Sequence, residues 1–181
     1  MKMMNTYTNK QFDPLKINEA DICLEDISHA LSLLCRGGGH VKYFYSVAQD
    51  AINCMYEAKA RNYPLKIQLA CLLHDASEAY LSDIICPVKM HLPEYYQIEV
   101  MIMAKIFSKF NLANLDEKEN SMWQQIDDDI LQYELKYLIN DKINQQLPPL
   151  SSKPDLLQKN WQDVEKEFNF YASDLLSRIR D

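Results

Sequence analysis

Apolar residues recur along this chain at spacings of three and four, the pattern of helices with one buried face. The first run is Ile22, Ile27, Ala30, Leu31 and Leu34, with Asp21, Glu25 and Asp26 near its start, where carboxylates suit the helix dipole. A second helix is predicted over 43–60, through Phe44, Val47, Ala48, Ala51, Ile52 and Met55. A third runs from 64, where Pro64 is tolerated in a first turn, to about 81. Through Cys71, Leu72 and Leu73 it is apolar on nearly all faces, which marks the central element of a bundle. Pro87 ends any continuation and leaves 82–92 as a loop. A long helix follows Pro93 (Ile98, Met101, Ile102, Ile106, Phe107), and after a polar break at 111–120 another spans about 121–140 (Ile126, Ile130, Leu131, Leu135, Leu138). Residues 145–154 form a connection rich in proline and serine, and 155–180 read as a final amphipathic helix (Leu156, Trp161, Val164, Phe168, Leu175, Leu176, Ile179). Residues 1–20 are polar, contain Pro14, and read as an extended arm. No strand of convincing length or alternation stands out. The expectation is an all-α, single-domain bundle of about six helices over 1–181.

One stretch breaks the apolar pattern where it is strongest. The run Leu69–Leu73 ends in an adjacent His74-Asp75 pair, with Glu78 one turn on and Asp83 just beyond. Burying imidazole and carboxylate costs several kcal/mol unless each is paired or bound to metal. A mononuclear hydrolytic metal site needs a few nitrogen or oxygen ligands, an open position for water, and an acid or base nearby. His74 and Asp75, with a carboxylate from a distant helix, can supply ligands, and Glu78 is placed to handle a proton. An adjacent His-Asp pair alone is a weak signal; with Glu at plus four and Asp at plus nine it is much stronger.

Other polar features read two ways. All three glycines lie in Arg36-Gly37-Gly38-Gly39-His40, either a tight turn after a helix or a loop whose amides and Arg36 approach an anion. Asp50 alone is a solvated carboxylate on a helix edge, and His29 a partly exposed histidine. In Asp127-Asp128-Asp129 three successive helix positions point three ways, so at most one or two face the core.

The net charge of -7 argues against holding nucleic acid by general electrostatic attraction, although a local basic pocket for a small phosphate ester is compatible with it. The five cysteines, at 23, 35, 54, 71 and 86, form no CxxC pair and are odd in number, so they read as buried free thiols in a reducing compartment. No window approaches a membrane span, and the N-terminal residues have no apolar core of signal-peptide length. A cytoplasmic protein without membrane association is expected.

Several segments together carry a family resemblance: Leu24-Glu25-Asp26-Ile27-Ser28-His29-Ala30-Leu31-Ser32, the Arg-Gly-Gly-Gly-His turn, Phe44-Tyr45-Ser46-Val47-Ala48-Gln49, Leu72-Leu73-His74-Asp75-Ala76-Ser77-Glu78-Ala79-Tyr80 and Pro87-Val88-Lys89. Over residues 12–140 the chain resembles the HD-domain phosphohydrolase superfamily, and within it the small group related to 5'-deoxynucleotidases. The resemblance implies an all-α fold and one divalent metal (Mn, Mg, Co, Zn or Fe) held by side chains in the order His, His-Asp, Asp. It also implies hydrolysis of a small phosphate ester, often a nucleotide, by proteins that are often homodimers. His74 and Asp75 match the defining pair. Asp127 matches the last aspartate, because the family's aspartate precedes a glutamate by seven, here Glu134. Glu78 matches the residue that orients or deprotonates water, and Asp83 a second acidic position. Arg36 falls where related enzymes hold the substrate phosphate, with His40 or Lys89 as further candidates.

The chain departs from the family at two points. Asp50, in Ser46-Val47-Ala48-Gln49-Asp50-Ala51, stands where the family has its first histidine ligand, and Gly37 stands where an aromatic residue usually follows the arginine. Three carboxylates with one imidazole favour harder cations such as Mg²⁺ or Mn²⁺. The rival expectation is a degenerate HD fold with a weakened metal site, kept as a binding or regulatory module.

Overall fold

A computed structural model of the chain describes residues 3–140, 142 and 146–180; residues 1, 2 and 145 of the predicted arm and connection lie outside that set. The helices are α1 (Leu24–Leu33), α2 (Val47–Ala60), α3 (Leu65–Leu73), α4 (Glu78–Leu81), α5 (Cys86–Lys89), α6 (Pro93–Lys109), α7 (Glu117–Glu134) and α8 (Trp161–Arg180). Among the described residues the fold is all-α apart from an isolated Cys35–Ser46 bridge and a hairpin of two-residue strands in the arm, β1 (Met4–Asn5) and β2 (Gln11–Phe12), with Met4 opposite Phe12. The arm is docked: the Asp26 carboxylate on α1 accepts from Thr8 N at 2.7 Å and Thr8 Oγ1 at 2.9 Å.

Local chemistry sets the helix ends, and several differ from the periodicity. α2 begins at Val47, not 43, because Ser46 caps it: Ser46 Oγ accepts from Gln49 N while Gln49 Oε1 accepts from Ser46 N. The same reciprocal pair at Asp116 and Glu119 starts α7 at Glu117, inside the predicted polar break. α7 then passes into a π-helical turn over Leu135–Ile139. The predicted third helix is two pieces, α3 and α4, separated by a turn at 74–77. The predicted loop 82–92 contains α5, with Pro87 in its first turn where no N–H is missed. α8 starts at Trp161 rather than 155.

Leu69, Leu72 and Leu73 of α3 are fully buried against α2, α7 and α8, so the central element is the one its all-round apolarity predicts. The cysteine expectation holds for Cys54 and Cys71 only; Cys23 and Cys35 are partly exposed and Cys86 is exposed. Cys86 opens the short helix α5 on the surface. His29 is partly exposed, stacked on Tyr7 at 3.7 Å and 3.2 Å from Glu165. Among the described residues no helix is long and apolar enough to cross a membrane.

Residues 151–157 run as an irregular strap along one face of α2. Gln49, Asn53 and Glu57, each four apart, hold it by its backbone. Gln49 Nε2 donates to Leu157 O (3.0 Å), Asn53 Nδ2 donates to Asp155 O (3.1 Å), and Asn53 Oδ1 accepts from Asp155 N (2.9 Å). Glu57 accepts from Ser151 N (2.9 Å), Ser152 N (2.7 Å) and Ser152 Oγ (2.6 Å). The backbone polar groups of an irregular segment are thereby satisfied without a sheet or helix. Asp50 and Cys54 lie on the same helix.

Candidate metal centre

Asp50 and Cys54 come from α2, His74 and Asp75 from the turn after α3, and Asp127 and Glu134 from α7. On an unbroken helix adjacent residues point about 100° apart. His74 keeps helical dihedrals (φ -59, ψ -35) at the end of α3, and its Nε2 nevertheless lies 3.2 Å from Asp75 Oδ2 in the turn that follows.

His74 Nδ1 lies 2.8 Å from the Cys71 carbonyl oxygen. A carbonyl only accepts, so Nδ1 carries a proton and Nε2 is left to face the site. Nε2 is 3.4 Å from Asp50 Oδ2, 3.2 Å from Asp75 Oδ2 and 3.3 Å from Asp127 Oδ1. Neither Nε2 nor Asp50 Oδ2 makes an aligned hydrogen bond, although both are buried. These separations match the edge, about 3.3 Å, of a tetrahedron with bonds of about 2.0 Å to its centre. Of these residues Asp50, His74 and Asp127, together with Cys54, have ligand atoms within 4.8 Å of one another, a group that could hold a divalent cation.

Arg36 borders the cluster. Its Nη1 donates to Asp75 Oδ2 at 3.1 Å, and Nε and Nη2 donate to Glu134 Oε2 at 3.3 and 3.2 Å; Nη2 is also 3.3 Å from Asp50 Oδ2. Burial pushes Asp50 up, but Arg36 and His74 beside it more than offset this and hold the carboxyl below the usual range. Burial opposes a charged His74, yet Asp75, Asp127 and Asp50 raise its affinity for a proton well above the ordinary value. Burial and the Asp50 charge push Glu134 up to about 8.

A pocket of about 580 Å³ opens over this cluster, within the range of small-molecule sites. It brings together the remaining residues expected from the sequence: Arg36, His40, Glu78, Asp83 and Lys89 all line it. Glu78 is nearly fully buried and its Oε2 has no hydrogen-bond partner. Burial, then Asp75 and Asp83, push its carboxyl up to about 9. Asp83 Oδ2 accepts from Gly37 N at 3.1 Å, tying the segment after α4 to the glycine turn. Gly37 has φ +60, a left-handed conformation that favours glycine. His40 is exposed at the rim, and Lys89 Nζ pairs with Glu99 at 2.7 Å. A second opening of about 330 Å³, bounded by Phe107 and Trp123, reaches His74, Asp75 and Asp127 from another side.

The acidic triplet divides as its geometry requires. Asp127 joins the cluster, Asp128 is exposed, and Asp129 is buried with Arg61 at 2.8 Å. Two participants were not anticipated. Cys54 offers a sulfur atom in a group with Asp50, His74 and Asp127; its signal was its place four residues after Asp50, on the same helix face. Glu134, useful in the sequence only to register Asp127, is a buried partner of Arg36.

The Escherichia coli (strain K12) protein YfdR, described as uncharacterized, is 41% identical over 112 residues, which cover 62% of this chain and 60% of that protein. The Rhodobacter capsulatus protein RCAP_rcc00048, also described as uncharacterized, is 34% identical over 111 residues, covering 58% of this chain and 56% of its own length. The chain therefore spans less than two thirds of either relative. A family model described as "HD domain" matches residues 42–169, a segment that holds every residue of the buried donor cluster. With its helical fold and a family model matched over more than half its length, the chain belongs to the HD-domain family.

Proposed function

We propose that this protein is a metal-dependent phosphohydrolase acting on a small phosphate ester, a nucleotide being the substrate class that best suits the pocket. The observation that carries the reading is His74 Nε2 with three carboxylate oxygens at 3.2–3.4 Å, beneath an open pocket that also holds Glu78 and Arg36. Asp50, His74, Asp75 and Asp127 would hold one divalent cation. Such an ion supplies Lewis acidity, acidifying water and polarising a phosphoryl oxygen.

The chain's own groups do the rest. Glu78 handles the proton of the attacking water, and Asp83 tunes it through charge. A bound cation beside Asp75 offsets part of the repulsion that holds Glu78 protonated, moving it toward the carboxylate a base requires. Arg36 has five N–H groups, of which three are donated to Asp75 and Glu134. Its remaining donors, with Lys89 and His40 at the pocket wall, neutralise the phosphate. Ile84, Ile85, Leu131 and Ile139 offer an apolar wall for the organic part of the ester. The reading takes 1–181 as one HD-type unit with no general affinity for nucleic acid, and a homodimer is the assembly to look for by sedimentation.

Metal analysis of the purified protein, followed by phosphate release from a panel of nucleoside monophosphates with added Mn²⁺, Co²⁺ or Mg²⁺, tests the proposal. Metal-loaded protein inactive across the panel would count against it. Glu78→Gln should lower kcat by about a hundredfold or more while metal stays bound. Equal turnover in that variant removes Glu78 from the mechanism.

A second reading, a binding or regulatory module on a degenerate site, is favoured by one observation. Arg36 already sets positive charge against Asp50 and Asp75, the carboxylates a metal would use. Wild-type protein that is metal-free and inactive, but gains metal on Asp50→His, would support that alternative.

A further inference from the structure

One group of convergent donor atoms in the centre differs from the set the family pattern implies. Asp50, Cys54, His74 and Asp127 each offer one ligand atom, all within 4.8 Å of one another, and this group does not include Asp75. Cys54 follows Asp50 by one turn of α2, so both side chains leave the same face. Its Sγ is buried and 3.7 Å from Asp50 Oδ1, while Oδ2 of that carboxylate is the atom beside His74 Nε2. Asp50 Oδ2 and His74 Nε2 are both buried without an aligned hydrogen bond, which independently marks the point where a cation would sit. Asp75 donates none of the atoms of that group; its Oδ2 accepts a hydrogen bond from Arg36 Nη1 at 3.1 Å, whereas the 3.3 Å contact of Arg36 Nη2 with Asp50 Oδ2 is an ion pair without an aligned hydrogen bond.

We propose that the Cys54 thiolate is a ligand of this metal centre. Sulfur then stands, within an Asp50-Cys54-His74-Asp127 set, where the carboxylate of Asp75 stands in the family's set. The inference rests on the metal-centre reading above and deepens it. Binding would release the S–H proton to solvent, and the thiolate would add one negative charge to the ligand set while the metal ion keeps its oxidation state. Thiolate and imidazole together select Zn²⁺ or Co²⁺ over Mg²⁺ or Mn²⁺, the reverse of what a carboxylate shell alone would choose.

Titration of the full chain with Co²⁺, followed by absorption spectroscopy, separates the alternatives without reference to activity. Ligation by Cys54 gives a thiolate-to-cobalt charge-transfer band in the near ultraviolet beside the visible ligand-field bands. Cys54→Ser should abolish the charge-transfer band while the visible bands persist. A cysteine that only steadies Asp50 would also weaken metal binding, by about 10–100-fold, so affinity alone does not discriminate. A second variant with Cys23, Cys35, Cys71 and Cys86 all changed to Ser must retain the band, and it decides the matter if Cys54→Ser does not fold. Visible cobalt bands without the charge-transfer band overturn thiolate ligation and leave the metal centre standing. No bound cobalt at all overturns both.

Discussion

Glu57→Ala probes the support behind the metal-facing side of α2. Glu57 is fully buried and accepts from Ser151 N, Ser152 N, Ser152 Oγ and Arg61 Nε, the last at 2.7 Å. Truncation strands two backbone N–H groups of the strap and leaves one edge of a guanidinium unpaired. A buried unsatisfied donor costs about 1–3 kcal/mol, and removing one partner of a buried ion pair about 3–5 kcal/mol. The two overlap, because the vacated volume admits water and Arg61 keeps Asp129 at 2.8 Å. A net loss of about 3–4 kcal/mol follows. In a chain of this size each kcal/mol shifts Tm by about 2–4 °C, so the variant should melt about 6–16 °C lower. Thermal unfolding by circular dichroism, repeated from neutral pH into acid, measures it. Burial pushes the Glu57 carboxyl up, but the donors of Ser151, Ser152 and Arg61 prevail and hold it below its ordinary 4.5. Its contribution is therefore complete above that value and is lost as pH falls through the lower folded one. The gap between wild type and variant should narrow in acid. A neutral-pH melt within about 2 °C of wild type, or a gap indifferent to acid, would refute the reasoning.

Metal at about 100 times its Kd should stabilise the protein by about 2.7 kcal/mol, a Tm rise of about 5–11 °C. His74→Ala should erase that rise in a melt that stays cooperative, and a rise of the same size in the variant excludes His74 as a ligand. Asp83→Asn removes one of the negative charges that hold Glu78 protonated. The acid limb of its kcat/KM profile should then move to lower pH; an unmoved limb, or one displaced upward, breaks the proposed coupling between the two carboxyl groups.

Much of the site was legible because it is written in neighbouring residues. His74, Asp75 and Glu78 lie within five positions at the end of the most apolar helix, where an ionisable residue needs a reason. The capping pairs Ser46–Gln49 and Asp116–Glu119 are equally local, and reading them would have set the starts of α2 and α7 correctly. The break after Leu73 was not legible, since the apolar pattern continues through it. The polar stripe Gln49, Asn53, Glu57 resembles a solvated helix edge and is instead covered by a strap about a hundred residues away in sequence.

The sequence by itself determined where the long helices run, which of them is central, and which residue types meet near its end. Helical period, caps and apolar runs act over a turn or two, so they survive without knowledge of the fold. Tertiary structure decided what each polar atom faces. Of three adjacent aspartates, Asp127 meets His74, Asp129 meets Arg61, and Asp128 meets water. Cys54 becomes a metal-sized neighbour of His74 only because α2, α7 and the turn after α3 converge. Coordination is a matter of ångströms between side chains remote along the chain, and packing alone sets those distances.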